Sequence, residues 1–256
     1  MERPFHDFHA TAGGQLGLSP ETVPDTDEIL SLRSAEPSLS NLLKLGKALS
    51  FSLRYREAIE VYLQALEYDP DSPEAHRLLA GRYLTTLQSD MALSEFTWCL
   101  EHGGDAVDCR YRMGLSLYFK GSFTGAMDEF EAIVDEADSE MKAAIIYWHS
   151  LSAIRQGCTL SLLSFIPSRD EVSHHRAYYD GLLFFRGEIT ASSLRAMTER
   201  EECDMEYSIR MYALAVYFND RNILKNIAGR GEYWFCFSSL AAWNDLSELK
   251  LIDEPC

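Results

Sequence analysis

One spacing constrains this chain more than any other property. Small residues stand at Gly46, Ala80 and Gly114, 34 residues apart. Twelve positions after each comes an alanine (Ala58, Ala92, Ala126), and four positions later an aromatic ring (Tyr62, Phe96, Phe130). A fixed period of this length marks a stacked array of two-helix units. Each unit buries its apolar side against its neighbours, so a chain of 256 residues need not gather around one core.

The first unit, 39–72, shows the physical content of the pattern. Leu42, Leu45 and Leu49 recur at helical spacing with Gly46 on the same face. Tyr55 to Glu67 gives a second helix with Ala58, Tyr62, Ala65 and Leu66 along one stripe. Asp69-Pro70-Asp71 ends it, because proline cannot extend the hydrogen-bond ladder. Gly46 and Ala58 are small so that the two helices approach closely, and Tyr62 fills the gap toward the next unit. The second unit, 73–106, repeats this with Leu79-Ala80, Tyr83, Ala92, Phe96 and a small Cys99. The third, 107–140, uses Met113-Gly114, Leu117, Ala126 and Phe130, with Gly121 and Phe123 at the turn.

Read in this register, the residues resemble the tetratricopeptide repeat (TPR). That unit carries a bulky apolar residue, Leu-Gly, a tyrosine, an alanine, an aromatic, a second alanine and a proline. Here these fall on Leu42, Leu45-Gly46, Leu49 (in place of the tyrosine), Ala58, Tyr62, Ala65 and Pro70. His76, Gly104, Arg110, Ile133 and Asp138 depart from the pattern. The resemblance implies a right-handed superhelical solenoid of helix-turn-helix hairpins whose first helices line a concave groove that holds a peptide. In this register Leu43, Lys47, Ser50 and Phe51 face the groove from the first unit. Arg77, Gly81, Leu84 and Thr85 follow from the second, and Asp108, Tyr111, Leu115, Tyr118 and Phe119 from the third, with Arg112 beside them. The expected partner contacts are Lys47, Arg77, Tyr111, Arg112, Leu115 and Tyr118, since rings and arginines are the usual anchors of an interface. A chaperone-tail clamp of Lys, Asn, Asn, Lys and Arg is excluded. Its positions hold Leu43, Lys47, Leu78, Asp108 and Arg112, of which only Arg112 agrees.

Beyond residue 140 the pattern loosens. Ala143 to Gln156 reads as a helix closed by Gly157, and Leu160 to Phe165 as a short helix stopped by Pro167. His174 to Arg186, Thr190 to Glu201, Met205 to Asn219 and Arg221 to Ile227 continue as degenerate hairpins. The tail, Tyr233 to Leu249, holds Trp234, Phe235, Phe237, Leu240 and Trp243 and reads as a C-terminal capping helix. Residues 1–37 are rich in glycine and proline and poor in apolar residues. Asp25 to Ser34 is the exception, a short helix expected to lie against the first unit. The predicted chain is thus all-α: an irregular segment 1–37, three repeats over 39–140, and degenerate hairpins with a cap over 141–256.

Charge and composition narrow the function. The net charge of −17 argues against nucleic acid or an anionic membrane as partner. The six cysteines form no C-x-x-C pair and read as reduced core thiols. The first ten residues lack the pattern of a signal peptide, and no apolar stretch suffices to cross a bilayer. The expected compartment is the cytoplasm. No nucleophile elbow, H-E-x-x-H or phosphate-cradling loop occurs. His6, His9, His174 and His175 lack the further ligands a metal site needs, and His149 beside Trp148 reads as a packing residue. No catalysis, cofactor or metal is expected. The sequence points to a non-catalytic protein–protein interaction module or scaffold that holds a partner peptide or helix in its groove. The alternative is a peptide- or small-ligand-responsive regulatory solenoid without its own DNA-binding domain, the first 37 residues being too polar for one.

Overall fold

The structure, a computed structural model, describes residues 24–198, 204–230 and 235–252. The described residues form thirteen α-helices and no strand. They pack as two compact units, Met1–Ser116 and Leu117–Cys256. The first holds α1 (Asp27–Ser34), α2 (Leu39–Phe51), α3 (Tyr55–Tyr68), α4 (Pro73–Thr85), α5 (Ser89–Glu101) and α6 (Ala106–Phe119) as far as Ser116. The second holds the end of α6, then α7 (Phe123–Glu131), α8 (Ser139–Gln156), two 3-10 turns (Ser161–Phe165 and Arg169–Glu171), α9 (Arg176–Phe185), α10 (Ala191–Thr198), α11 (Asp204–Phe218), α12 (Arg221–Ala228) and α13 (Phe237–Ile252).

In unit 1 each helix from α1 to α4 packs on the next one in sequence. The small–large fit is direct: a Cβ on Gly46 would lie 2.2 Å from Cε1 of Tyr62, so only glycine lets the ring seat there. Tyr62, Ala58, Ala65, Leu79, Ala80, Ala92 and Phe96 are all buried. Thr26 caps α1, its hydroxyl accepting from the Ile29 N–H, and Ile29 is buried. Ion pairs fix α1 further: Arg33 bonds Glu57 at 2.6 Å and Asp25 at 3.0 Å, and Arg54 holds both Glu57 and Asp25. The short helix α1 is thus held against α2 and the start of α3.

The turn within each hairpin is also periodic. Leu53, Leu87 and Gly121 all take positive φ, at 59°, 57° and 76°. At each, the next residue's N–H bonds a carbonyl five residues back: Arg54 to Leu49, Gln88 to Tyr83 and Ser122 to Leu117, all at 2.9 Å. This is the Schellman ending of a helix. The same ending recurs further along the chain at Gly157, Gly187 and Asn219.

Unit 2 is organised differently. Helix α11 packs against α8, α9, α10, α12 and α13, and so lies at the centre of the unit. It buries Ile209, Met211, Tyr212, Ala213, Leu214, Ala215 and Val216 in near-continuous sequence, together with Arg210. Helix α8 is buried all round from Ala143 to Ala153. Its Tyr147 hydroxyl donates to the Ile209 carbonyl at 2.6 Å, and its ring stands 2.8 Å from where a Cβ on Gly181 would be. Arg210, 3 % exposed, bonds Asp180 at 2.8 and 3.0 Å. Glu140 at the start of α8 accepts from Ser173 (N–H and hydroxyl), His174 N–H and His175 N–H at 2.5 to 2.9 Å, which tethers the loop leading into α9. Burial alone raises the Glu140 carboxyl, but these bonds outweigh it and hold the group at about 2.

The expected helix over Leu160–Phe165 is a 3-10 turn over Ser161–Phe165, a form suited to a short run ahead of Pro167. The tail helix begins at Phe237, and Trp234 lies outside the described residues, as do Cys203, Cys256, His6 and His9.

Candidate functional site

Unit 1 presents an exposed face built from α2 and α4. Lys47 on α2 pairs with Glu74 on α4 at 2.5 Å, which brings the two helices within side-chain reach of each other. One helical turn beyond Lys47 stands Phe51, 89 % exposed. Along α4, Arg77 follows Glu74 by one turn and is exposed, with no partner among the described residues. Gly81 lies one turn further, and nothing comes within 4 Å of a Cβ built there. An exposed ring on α2 and an exposed cation on α4 thus each stand one turn beyond the Lys47–Glu74 pair.

The other expected contacts are placed differently. Arg112 donates to Asp108 at 2.7 Å and lies 5.9 Å from the Phe96 ring centre, so its charge is balanced within its own helix. Tyr111 and Leu115 are buried. Tyr118 is 3 % exposed, and its hydroxyl lies 2.9 Å from that of Tyr212. Neither Glu74 nor the contacts of Tyr118 carry a signal in the repeat register, because each depends on a partner from another helix.

In unit 2 Tyr118 belongs to a polar cluster. The Tyr212 hydroxyl donates to the Asp245 carboxylate at 2.9 Å, and Arg155 bonds the same carboxylate while lying 3.4 Å from the Tyr212 oxygen. Burial pushes the Tyr118 hydroxyl up to about 12, with the Arg155 guanidinium pulling the other way. Arg155 Nε is buried without a partner. Beside it a cavity of about 230 Å³ is lined by Tyr118, Phe119, Phe123, Arg155, Asn244 and Asp245, among others. Asn244 donates to the Phe119 carbonyl at 2.9 Å.

The histidines serve local structure. His76, where the repeat prefers an apolar residue, sets its two ring nitrogens against Glu95 (2.5 Å) and the Pro70 carbonyl (2.9 Å). Its ring stacks on Trp98 at 3.7 Å, and Trp98 stacks on His102 at 3.8 Å. His149 is fully buried against Glu131 at 2.9 Å; burial lowers its basicity and Glu131 partly restores it. His175 Nδ1 faces the Glu140 carbonyl at 2.7 Å. Cys99, Cys109, Cys158 and Cys236 are free thiols, and burial pushes Cys99 up to about 12, with neighbouring Cys109 adding to it. Among the described residues no helix is long and apolar enough to cross a membrane.

Three comparisons bear on this arrangement. A search of curated proteins finds no match. Among solved structures, MamA from AMB-1 is 18 % identical, covering 71 % of this chain and 95 % of its own, with a TM-score of 0.45. MamA from MSR-1 is 20 % identical, covering 70 % and 94 %, also at 0.45. YrrB, described as a TPR protein with an unusual peptide-binding site, is 12 % identical, covering 84 % and 98 %, at 0.46. A family model described as TPR repeat matches residues 54–83, which span α3 and most of α4. The match to the tetratricopeptide repeat thus covers one stretch, residues 54–83, within an all-α array of packed hairpins.

Proposed function

We propose that this protein is a non-catalytic interaction module that docks a peptide or helix from a partner protein on the α2–α4 face of unit 1. The observation that carries the reading is the exposure of Phe51 and Arg77, each one turn beyond the Lys47–Glu74 pair on the first helices of consecutive hairpins. A ring and a guanidinium are the side chains most often found as binding hot spots. Lys47 is already neutralised by Glu74, so Arg77 and Phe51 are the lead contacts, with Lys47 and Arg112 at the margin. Tyr111, Leu115 and Tyr118 are buried and are not among the proposed contacts. The free thiols suit a reducing compartment, and the working location proposed is the cytoplasm.

The test is to select binders from a random peptide library on the full chain and measure them by calorimetry. Phe51→Ala and Arg77→Glu should each weaken a selected peptide at least about ten-fold while the circular dichroism stays unchanged. If no peptide is enriched, or if both variants bind it as the parent does, the face is not the docking site.

A further inference from the structure

The charges of unit 1 are sorted by helix. The first helices of the hairpins, α2, α4 and α6, carry Lys44, Lys47, Arg77, Arg82, Arg110 and Arg112 against Glu74 and Asp108. The second helices, α3 and α5, carry Glu57, Glu60, Glu67, Asp90, Glu95 and Glu101 against Arg56. A chain of net charge −17 thus concentrates a basic surplus on one set of helices. Both carboxylates of that set are already engaged, Glu74 by Lys47 and Asp108 by Arg112.

The surplus reaches the surface where Phe51 stands. Lys44, Lys47 and Phe51 follow at i, i+3 and i+7 and so share one side of α2. Lys44 and Phe51 are exposed and Lys47 is half-exposed, whereas Leu45, Gly46, Ala48 and Leu49 between them are buried. On α4, Arg77 is exposed one turn after Glu74, which Lys47 ties to this stripe. Lys44 and Arg77 are therefore two exposed cations that meet no carboxylate among the described residues, and Phe51 adds apolar surface to the same stripe as Lys44. Charge is felt over about 8 Å at physiological salt. A short segment docked here responds mainly to these nearest groups, while a long polyanion extends past them and meets the net negative charge of the chain.

We infer that the α2–α4 face takes an acidic segment of a partner protein, whose aspartate or glutamate side chains meet Lys44 and Arg77 and whose apolar residue covers Phe51. The inference rests on the reading of this face as a docking site. It adds the charge of the occupant, and Lys44 as a contact.

The test uses the full chain and peptides with amidated C-termini, selected on it from a random library, so that every carboxylate is a side chain. The selected pool should be enriched in Asp and Glu. Replacing those residues by Asn and Gln in the tightest binder should weaken it about ten-fold or more. Raising NaCl from about 50 to 300 mM should weaken the acidic binder about three-fold or more, and its amide version less. Lys44→Glu with Arg77→Glu, made together in the chain, should weaken the acidic binder about ten-fold or more. A peptide with lysines in place of its acids should then bind the double variant better than the parent chain, an exchange of preference that loss of fold cannot produce. Selected peptides that Phe51→Ala weakens, but that lack acidic enrichment or ignore the double variant, overturn the inference and leave the docking reading standing. Failure to select any peptide, or indifference to Phe51→Ala and to the double variant alike, overturns both.

Discussion

The two units bury their helices by different means. In unit 1 helices α1 to α5 each meet their neighbour in sequence, and the fit is made by small residues facing large ones, as at Gly46 and Tyr62. In unit 2 one helix, α11, is wrapped by five others, and the interior admits charged and hydroxyl groups such as Arg210, Asp180 and Tyr212. Packing between neighbours needs only a local code. A central helix needs partners from distant parts of the chain, and polar groups placed there must meet each other or lose their hydration.

The largest expected effect tests the polar interior of unit 2. Asp180→Ala takes away the carboxylate that bonds the buried Arg210 at 2.8 and 3.0 Å, while Glu206 stays at 3.3 Å. Breaking a buried pair in this way costs about 3–5 kcal/mol. Urea unfolding should show that loss, and adding Arg210→Met should recover most of it. A loss below about 1 kcal/mol would mean the pair behaves like a surface one.

The next effect tests the small–large fit on both sides of the comparison. Gly46→Ala pushes into the Tyr62 ring and should cost about 1–3 kcal/mol. Gly181→Ala meets Tyr147 at a wider 2.8 Å and should cost less in the same measurement. Equal costs would erase the distinction between a coded contact and an incidental one.

A third substitution should stabilise the protein. Leu87 holds a left-handed conformation that suits glycine, the residue unit 2 uses at Gly157 and Gly187. Leu87→Gly should gain about 0.5 kcal/mol after the lost side chain is counted. Thermal unfolding would show an unchanged or lower midpoint if the leucine's packing outweighs the backbone strain.

The smallest effect carries a pH signature. The Glu140 carboxyl is held at about 2 against its ordinary 4.5. Its folded value is depressed, so its contribution is complete above about 4.5 and fades as pH falls toward 2. Glu140→Gln should be modestly less stable at neutral pH, and the gap should close across that window. A gap independent of pH would show that the tether at Ser173–His175 works without the charge.

These contrasts also explain what the sequence discloses. Gly46, Ala58 and Tyr62 are legible because the residues that touch lie within a single repeat. The Gly121 turn is legible because glycine announces it. Its equivalents at Leu53 and Leu87 are hidden, since leucine gives no sign of positive φ. On the candidate face, the register puts Lys47 and Arg77 outward but is silent on Glu74, which neutralises the first of them. Tyr118 is the clearest case. Its position on α6 follows from the period, yet its burial depends on Tyr212, 94 residues away, in a stretch where the period has dissolved.

The stack of His76, Trp98 and His102 has a practical consequence. Trp98 is the one tryptophan of the four that falls within unit 1. It is sandwiched between two imidazole rings, which are quenchers of indole emission. Opening of the second hairpin would release that quenching, while the buried Trp148 would shift its emission colour only when α8 meets water. The protein thus carries separate optical reporters for its two halves, and a single-tryptophan variant of each would time their unfolding without any added dye.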